Sequence, residues 1–268
     1  MAFTTASFEQ HRQQFLADVQ AGALVFCNHS GGKDSMAMFE LLKQHVPAEQ
    51  LIVIHADMGD RVEWEGTRDH VFATTDGYQV EIAQAVDREG NKKDFLDMVE
   101  KRQMWPSAST RQCTSDLKRT PCEKVIRRVM KEKGASVAYN CMGIRAEESS
   151  NRAKQPTLTE RKSKKLNAAG RTVHEFNPIL DMLIGDVFEV IEQAGKRLHW
   201  AYEAGMSRLS CCFCVLAAQD DLRTAARLRP ELAQVYVDTE ARIGHKWTAT
   251  RTLSEIIDLA PSADLVAA

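Results

Sequence analysis

The sequence predicts an α/β fold, doubly wound around a mostly parallel sheet and followed by a helical C-terminal portion. Three observations carry that expectation. Short, continuously apolar runs recur along the first part of the chain, as in strands buried on both faces of a parallel sheet. These runs alternate with helical stretches. From about residue 180 onward the periodicity is helical. The expected organisation is therefore an α/β domain over 1–180 and a mostly helical region over 181–268 that carries a cysteine cluster.

The elements follow in order. A helix over 8–20 ends near Gly22, and the apolar run 23–27 reads as a buried strand. That strand leads into Ser30-Gly31-Gly32-Lys33-Asp34-Ser35, and the apolar positions of 36–42 then fit a packed helix. Residues 51–55 repeat the strand pattern, 62–75 look helical, and a short strand is expected over 79–83. Helices are expected over 94–103 and 115–132, and a further strand over 136–140. Segment 145–171 carries eight cations against three carboxylates with little periodicity, and reads as a long basic loop. Helices over 185–195, 219–228 and 231–243 complete the chain, which shows no internal repeat or low-complexity tract.

Composition narrows the classes. With 268 residues and 44% hydrophobic content the chain can bury a sizeable core, which sets it apart from disordered sequences. A formal net charge of -2 gives no global attraction to nucleic acid, so any such attraction must be local. The opening residues hold no apolar signal core, and no apolar run approaches the roughly 20 residues needed to span a bilayer. The expectation is a cytoplasmic protein without a membrane partner, its seven cysteines kept reduced.

The hexapeptide between the first strand and its helix has the makings of an anion site. Gly31 and Gly32 let the backbone approach phosphate oxygens, and the helix start offers free N–H groups and a positive dipole end. Lys33 adds a point charge, Ser30 and Ser35 add hydroxyls, and His29 abuts the turn. The two glycines are adjacent, so this is not the Walker loop, which places four residues between them.

These residues resemble the SGGxDS signature of the PP-loop ATP pyrophosphatases, proteins of the adenine nucleotide alpha hydrolase-like fold. Three further segments resemble the phosphoadenosine phosphosulfate (PAPS) reductase branch: 111–118 (RQCTSDLK), 143–149 (GIRAEES) and 207–214 (SRLSCCFC). The resemblance implies that the loop Ser30, Gly31, Gly32, Lys33, Asp34 and Ser35 grips the β- and γ-phosphates of ATP. A substrate oxygen then attacks the α-phosphorus, and pyrophosphate leaves. Ser30, Lys33, Asp34, Ser35 and Arg145 are the implied catalytic residues, and Mg²⁺ would share the phosphate charge. Arg145 suits a second phosphate clamp because its guanidinium makes paired contacts. Gly143, Asp57 at the end of the second strand, and Lys118 complete the implied nucleotide site.

The resemblance breaks at one point. PAPS reductases use a redox cysteine near the C-terminus, whereas the last cysteine here is Cys214. Cys113, Cys211, Cys212 and Cys214 are candidate ligands of an iron–sulfur cluster of the [4Fe-4S] type, with Cys122 in reserve. A zinc site and plain packing remain open alternatives. Cys27 and Cys141 fall in expected strands and read as core. The combination is similar to the ATP pyrophosphatase subunits of bacterial DNA phosphorothioation systems, the SspD-like and DndC-like proteins. That likeness implies a DNA backbone acceptor and a cysteine desulfurase as sulfur donor, with segment 145–171 facing DNA or closing over ATP. Two other readings stay open: a sulfonucleotide reductase with a relocated redox cysteine, and a non-catalytic nucleotide-sensing subunit.

Overall fold

The computed structural model describes residues 3–75, 77–161, 163, 166–168 and 170–262. Its elements are α1 (Ala6–Glu9), α2 (Arg12–Gln20), β1 (Leu24–Asn28), α3 (Lys33–Leu42), β2 (Leu51–Asp57), α4 (Thr67–Thr74), β3 (Gln79–Gln84) and α5 (Phe95–Arg102). A π-helix over Cys113–Arg119 runs directly into α6 (Thr120–Lys133). Then come β4 (Val137–Met142), a 3-10 turn (Ala146–Glu148), α7 (Ser150–Ala153), β5 (Leu158–Glu160) and β6 (Thr172–Phe176). The chain closes with α8 (Ile184–Gln193), α9 (Trp200–Glu203), α10 (Gln219–Leu228), α11 (Pro230–Ile243) and α12 (Leu253–Ile257).

Contacts group the chain into two units, each assembled from three stretches. The first holds residues 1–56, 66–83 and 122–199; the second holds 57–65, 84–121 and 200–268. The boundary expected at 180 thus falls inside the first unit, and the second draws in two stretches from the N-terminal half.

The first unit is built on a six-stranded sheet of order β3-β2-β1-β4-β6-β5. β1 pairs in parallel with β2 and β4, β4 in parallel with β6, and β5 antiparallel with β6. Alternate residues of each strand serve opposite faces. Val25, Cys27, Leu51 and Val53 join a core with Phe8, Phe15, Phe39 and Val187 from α1, α2, α3 and α8. Leu24, Phe26, Ile52 and Ile54 join another with Ile126, Val129 and Met130 of α6. Helices cover both faces, so the sheet is doubly wound as the apolar runs predict. Cys27 and Cys141 are fully buried core residues whose thiols burial pushes far up.

Three local expectations are corrected, and one strand is added. The helix expected over 8–20 is two helices, because Thr5 and Asp181 cap the chain earlier. Thr5 Oγ1 accepts the Phe8 N–H at 3.0 Å, and Asp181 accepts those of Ala6 and Ser7 at 2.8 and 2.9 Å. The helix expected over 62–75 starts only at Thr67, after Gly66 turns the chain with φ +76°. Segment 145–171 is not one long loop: it contains the 3-10 turn, α7 and β5. The strand β6 that pairs with β5 has no counterpart in the sequence reading, because a charged Glu175 sits within it. Arg161 explains that residue, holding Glu175 at 2.8 Å and Glu123 at 2.9 Å.

The second unit is helical and packs around stacked aromatic rings. Trp105 lies parallel to Tyr236 at 5.9 Å, faces Phe95 at 5.9 Å and meets Trp247 at 4.7 Å. Among the described residues no helix is long and apolar enough to cross a membrane.

Candidate phosphate loop and thiol group

Strand order changes direction between β1 and β4, since the chain leaves β1 for β2 on one side and later returns to β4 on the other. Ligands of open α/β sheets bind in the crevice at the carboxyl ends of such strands. Two loops emerge there. One follows β1 as residues 29–32 and enters α3; the other follows β4 as Gly143-Ile144-Arg145.

The first loop is shaped by its own side chains. Ser35 Oγ donates to the Gly32 carbonyl at 2.8 Å and accepts the Ser30 N–H at 3.2 Å. The Gly31 N–H goes to His29 Nδ1 at 3.1 Å, and the Gly32 N–H to Ser30 Oγ at 3.4 Å. Gly31 itself has φ +79°, a conformation that disfavours any other residue. The amides of residues 30–32 are therefore engaged within the turn, a departure from the expected grip by the whole hexapeptide. Helix α3 follows with Gly32 as its N-cap and no side-chain cap.

The second loop comes within contact distance of the first. A Cβ on Gly143 would lie 2.9 Å from the Asp34 carbonyl oxygen and 3.1 Å from Ser35 Cα, so this close approach requires glycine. Two residues on, Arg145 Nε donates to Asp34 Oδ1 at 2.6 Å. Its Nη1 pairs with Glu147 and reaches the Met182 carbonyl at 3.4 Å. Lys33 Nζ lies 3.6 Å from the other Asp34 oxygen. Lys33 is 7% and Arg145 4% exposed, so neither is a solvated surface charge. Asp34 thereby bridges two buried cations at the helix start, and an entering anion would compete with that carboxylate for both. The Asp34 and Glu147 partners hold the Arg145 guanidinium firmly charged, against the opposing cost of its burial.

Ser30 to Ser35, Gly143 and Arg145 thus come together as the sequence predicts. Asp57 and Lys118 belong to the second unit. Asp57 closes β2 by accepting the Gly59 N–H at 2.9 Å and the Gln84 amide at 3.2 Å. Lys118, on the π-helix, sits among thiols of its own unit. Its charged form is favoured first by Cys211, then by Cys214, Glu63 and Cys113, against desolvation.

Three of the four candidate cysteine ligands therefore share one ammonium group. Burial raises the Cys211 thiol to about 11, with Lys118 pulling the other way, and burial also raises Cys113. Cys214 Sγ accepts from Arg208 Nη2 at 3.4 Å and from the Leu216 N–H at 3.5 Å. Cys212 points elsewhere. It is fully buried in the aromatic core, 4.0 Å from Arg229 Nη1, and burial raises its thiol to about 12. Cys122, held in reserve as a ligand, packs beneath the sheet with Ile126 and Val129. Among the described residues no three His, Cys, Asp or Glu side chains stand close enough to hold a metal ion. Cys113, Cys211 and Cys214 thus share the surroundings of Lys118, whereas Cys212 lies in the aromatic core and apart from that group. His29 was marked in the sequence by its place beside the turn, whereas Glu63 and His70 carried no sequence signal, because packing alone brings them into place.

A glycine-backed crevice with two buried cations at a helix start is a feature of anion-binding α/β folds. The chain matches the phosphoadenosine phosphosulfate reductase domain over residues 25–217 and belongs to that family. It is 30% identical over 219 residues to an uncharacterised protein of Methanocaldococcus jannaschii, covering 81% of this chain and 47% of that one. It is 29% identical over 143 residues to an uncharacterised 37.8 kDa protein of Escherichia phage 186, covering 53% and 41%. The chain spans less than half the length of these curated relatives. Among solved structures it is similar to the PAPS reductase of Candida auris in a phosphate complex. That match has a TM-score of 0.46 and 12% identity, covering 79% of this chain and 97% of the other.

Proposed function

We propose that the protein is an ATP pyrophosphatase that cleaves ATP to AMP and pyrophosphate, adenylating an acceptor for sulfur transfer. The observation that carries this reading is the contact of Gly143 and Arg145 with Asp34 at the uncapped start of α3. Lys33, Arg145 and the first-turn amides receive the β- and γ-phosphates, while an acceptor oxygen attacks the α-phosphorus and pyrophosphate departs with the bonding electron pair. AMP then leaves with that oxygen when a sulfur nucleophile displaces it, or forms directly when water is the acceptor. Mg²⁺, when bound with the nucleotide, would share the phosphate charge.

The thiol group around Lys118 supports the sulfur-transfer part of the reading. Cys113, Cys211 and Cys214 would hold an iron–sulfur cluster, which supplies a site for binding or moving sulfur. The acceptor we propose is a phosphate of the DNA backbone, reached with the help of segment 145–171, with a cysteine desulfurase as the sulfur donor. Much of that segment's charge is already committed: Arg145 pairs with Asp34, Arg152 with Glu148, and Arg161 with Glu123 and Glu175. The DNA contact therefore rests chiefly on Lys162, Lys164 and Lys165, which lie outside the described residues.

The test is product identification after incubation with ATP and Mg²⁺, with and without DNA. AMP with pyrophosphate is the expected outcome. ADP with phosphate would refute the reading, and sulfite released from PAPS with thioredoxin would favour a sulfonucleotide reductase instead.

A further inference from the structure

Behind the phosphate loop lies a group of histidines that the proposed chemistry leaves unused. His29, which directly follows β1, is 1% exposed. Its Nδ1 accepts the Gly31 N–H at 3.1 Å, which places the ring proton on Nε2. That Nε2 is buried and has no hydrogen-bond partner among the described residues. The His29 carbonyl faces His55 Nδ1 at 2.9 Å, and the Phe39 ring of α3 meets the imidazole edge-on at 6.2 Å. On α4, the His70 imidazole faces the Gly31 backbone, a contact that favours its charged form, although burial lowers its pKa overall. The His70 ring packs edge-on against His199 at 5.2 Å. Two imidazoles from different elements therefore meet the one loop residue with a left-handed backbone.

We propose that His29, as a neutral imidazole, and His70 are positioning residues that hold the Gly31 peptide in its left-handed turn and so shape the loop for a polyphosphate. The inference rests on reading the loop as a phosphate site, and it assigns to these two side chains the upkeep of that site.

The chemistry follows from the hydrogen bond. A protonated His29 would present a donor to the Gly31 donor, breaking the contact that sets the turn. The surroundings oppose that proton. Burial acts first, followed by His55 on β2, His70 on α4 and Lys196 in the turn after α8, and together they push the pKa down to about 3. A base whose pKa in the closed loop lies below its free value of about 6.5 favours the closed form above that pH. The advantage is lost as pH falls from there toward the depressed value. Opening the loop, which frees His29 to take a proton, should become about tenfold easier between pH 7.5 and 5.5.

Two measurements on the full chain test this. One is hydrogen exchange of the loop amides, corrected for intrinsic rate, at both pH values. The other is calorimetric binding of inorganic pyrophosphate. The wild type is expected to lose about tenfold in loop protection between pH 7.5 and 5.5, and to bind pyrophosphate more weakly at the lower pH. His29→Asn supplies an oxygen in place of Nδ1 but cannot titrate. It should keep protection and binding at pH 7.5 and show a flatter profile; the ligand's own protonation cancels in that comparison. His29→Leu should lose about tenfold in protection at pH 7.5. If that variant does not fold, His70→Leu, on an incompletely buried side chain, serves in its place. Loop protection in the leucine variants equal to wild type, or a His29→Asn profile as steep as wild type, overturns the inference. A wild type that binds no pyrophosphate while loop protection still follows the histidines would overturn the phosphate reading and leave the positioning pair standing.

Discussion

Gly143 shows how much of the site depends on a missing side chain. The atoms a Cβ would strike, at 2.9 to 3.1 Å, belong to the Asp34 and Ser35 backbone and cannot swing aside. Gly143→Ala is expected to cost about 1–3 kcal/mol of stability. It should also suppress pyrophosphate release, because the strand end and α3 must part. A variant that melts like wild type and releases pyrophosphate at the same rate would show that the two loops do not touch as described. At this scale the assembly of the loop was legible from sequence. Ser30 to Ser35 are contiguous, and their types state their chemistry, as do Gly143 and Arg145. Glu147, which pairs with Arg145, and His70, which faces Gly31, were not legible in those roles. Their parts arise from packing and carry no mark in residue spacing.

Elements were legible where one physical pattern dominated. The strands β1, β2 and β4 are apolar runs, and α10 and α11 show clear helical periodicity. Elements set by distant partners were not: α1 depends on Asp181 for its first amides, and β6 on Arg161 to neutralise Glu175. The stretch after the third strand illustrates a further case. A helix was expected there, yet its first two turns are a π-helix, a form that often marks functional sites. It begins at Cys113 and carries Lys118, whose charge Cys113, Cys211 and Cys214 favour. Four cysteines were candidates in sequence, and their side-chain directions divide them into three and one. If these thiols bind an iron–sulfur cluster, Cys113→Ala, Cys211→Ala and Cys214→Ala should each reduce the iron and sulfide of anaerobically purified protein severalfold. Cys212→Ala should leave metal content unchanged while costing about 1–2 kcal/mol for the lost sulfur in a packed core. Loss of iron in Cys212→Ala would return that residue to the ligand set.

For the whole molecule, the sequence could state the charge of segment 145–171 but not its availability. Ion pairs within the first unit occupy Arg145, Arg152 and Arg161. If DNA is the acceptor, reversing Lys162, Lys164 and Lys165 to Glu should weaken association. It should also flatten the dependence of log K on log salt by about 1 for each lysine that meets a phosphate. An unchanged slope would leave the segment without a part in DNA binding. The division into units was the least legible feature, because continuous sequence regions were expected and each unit is interleaved from three stretches. That interleaving has a consequence for biosynthesis. Cys113 leaves the ribosome about a hundred residues ahead of Cys211 and Cys214, so the thiol group cannot assemble until that further stretch has been made. Nascent chains must keep the early segments of both units out of wrong pairings while they wait, and dissection into separately expressed halves should yield insoluble fragments rather than working modules.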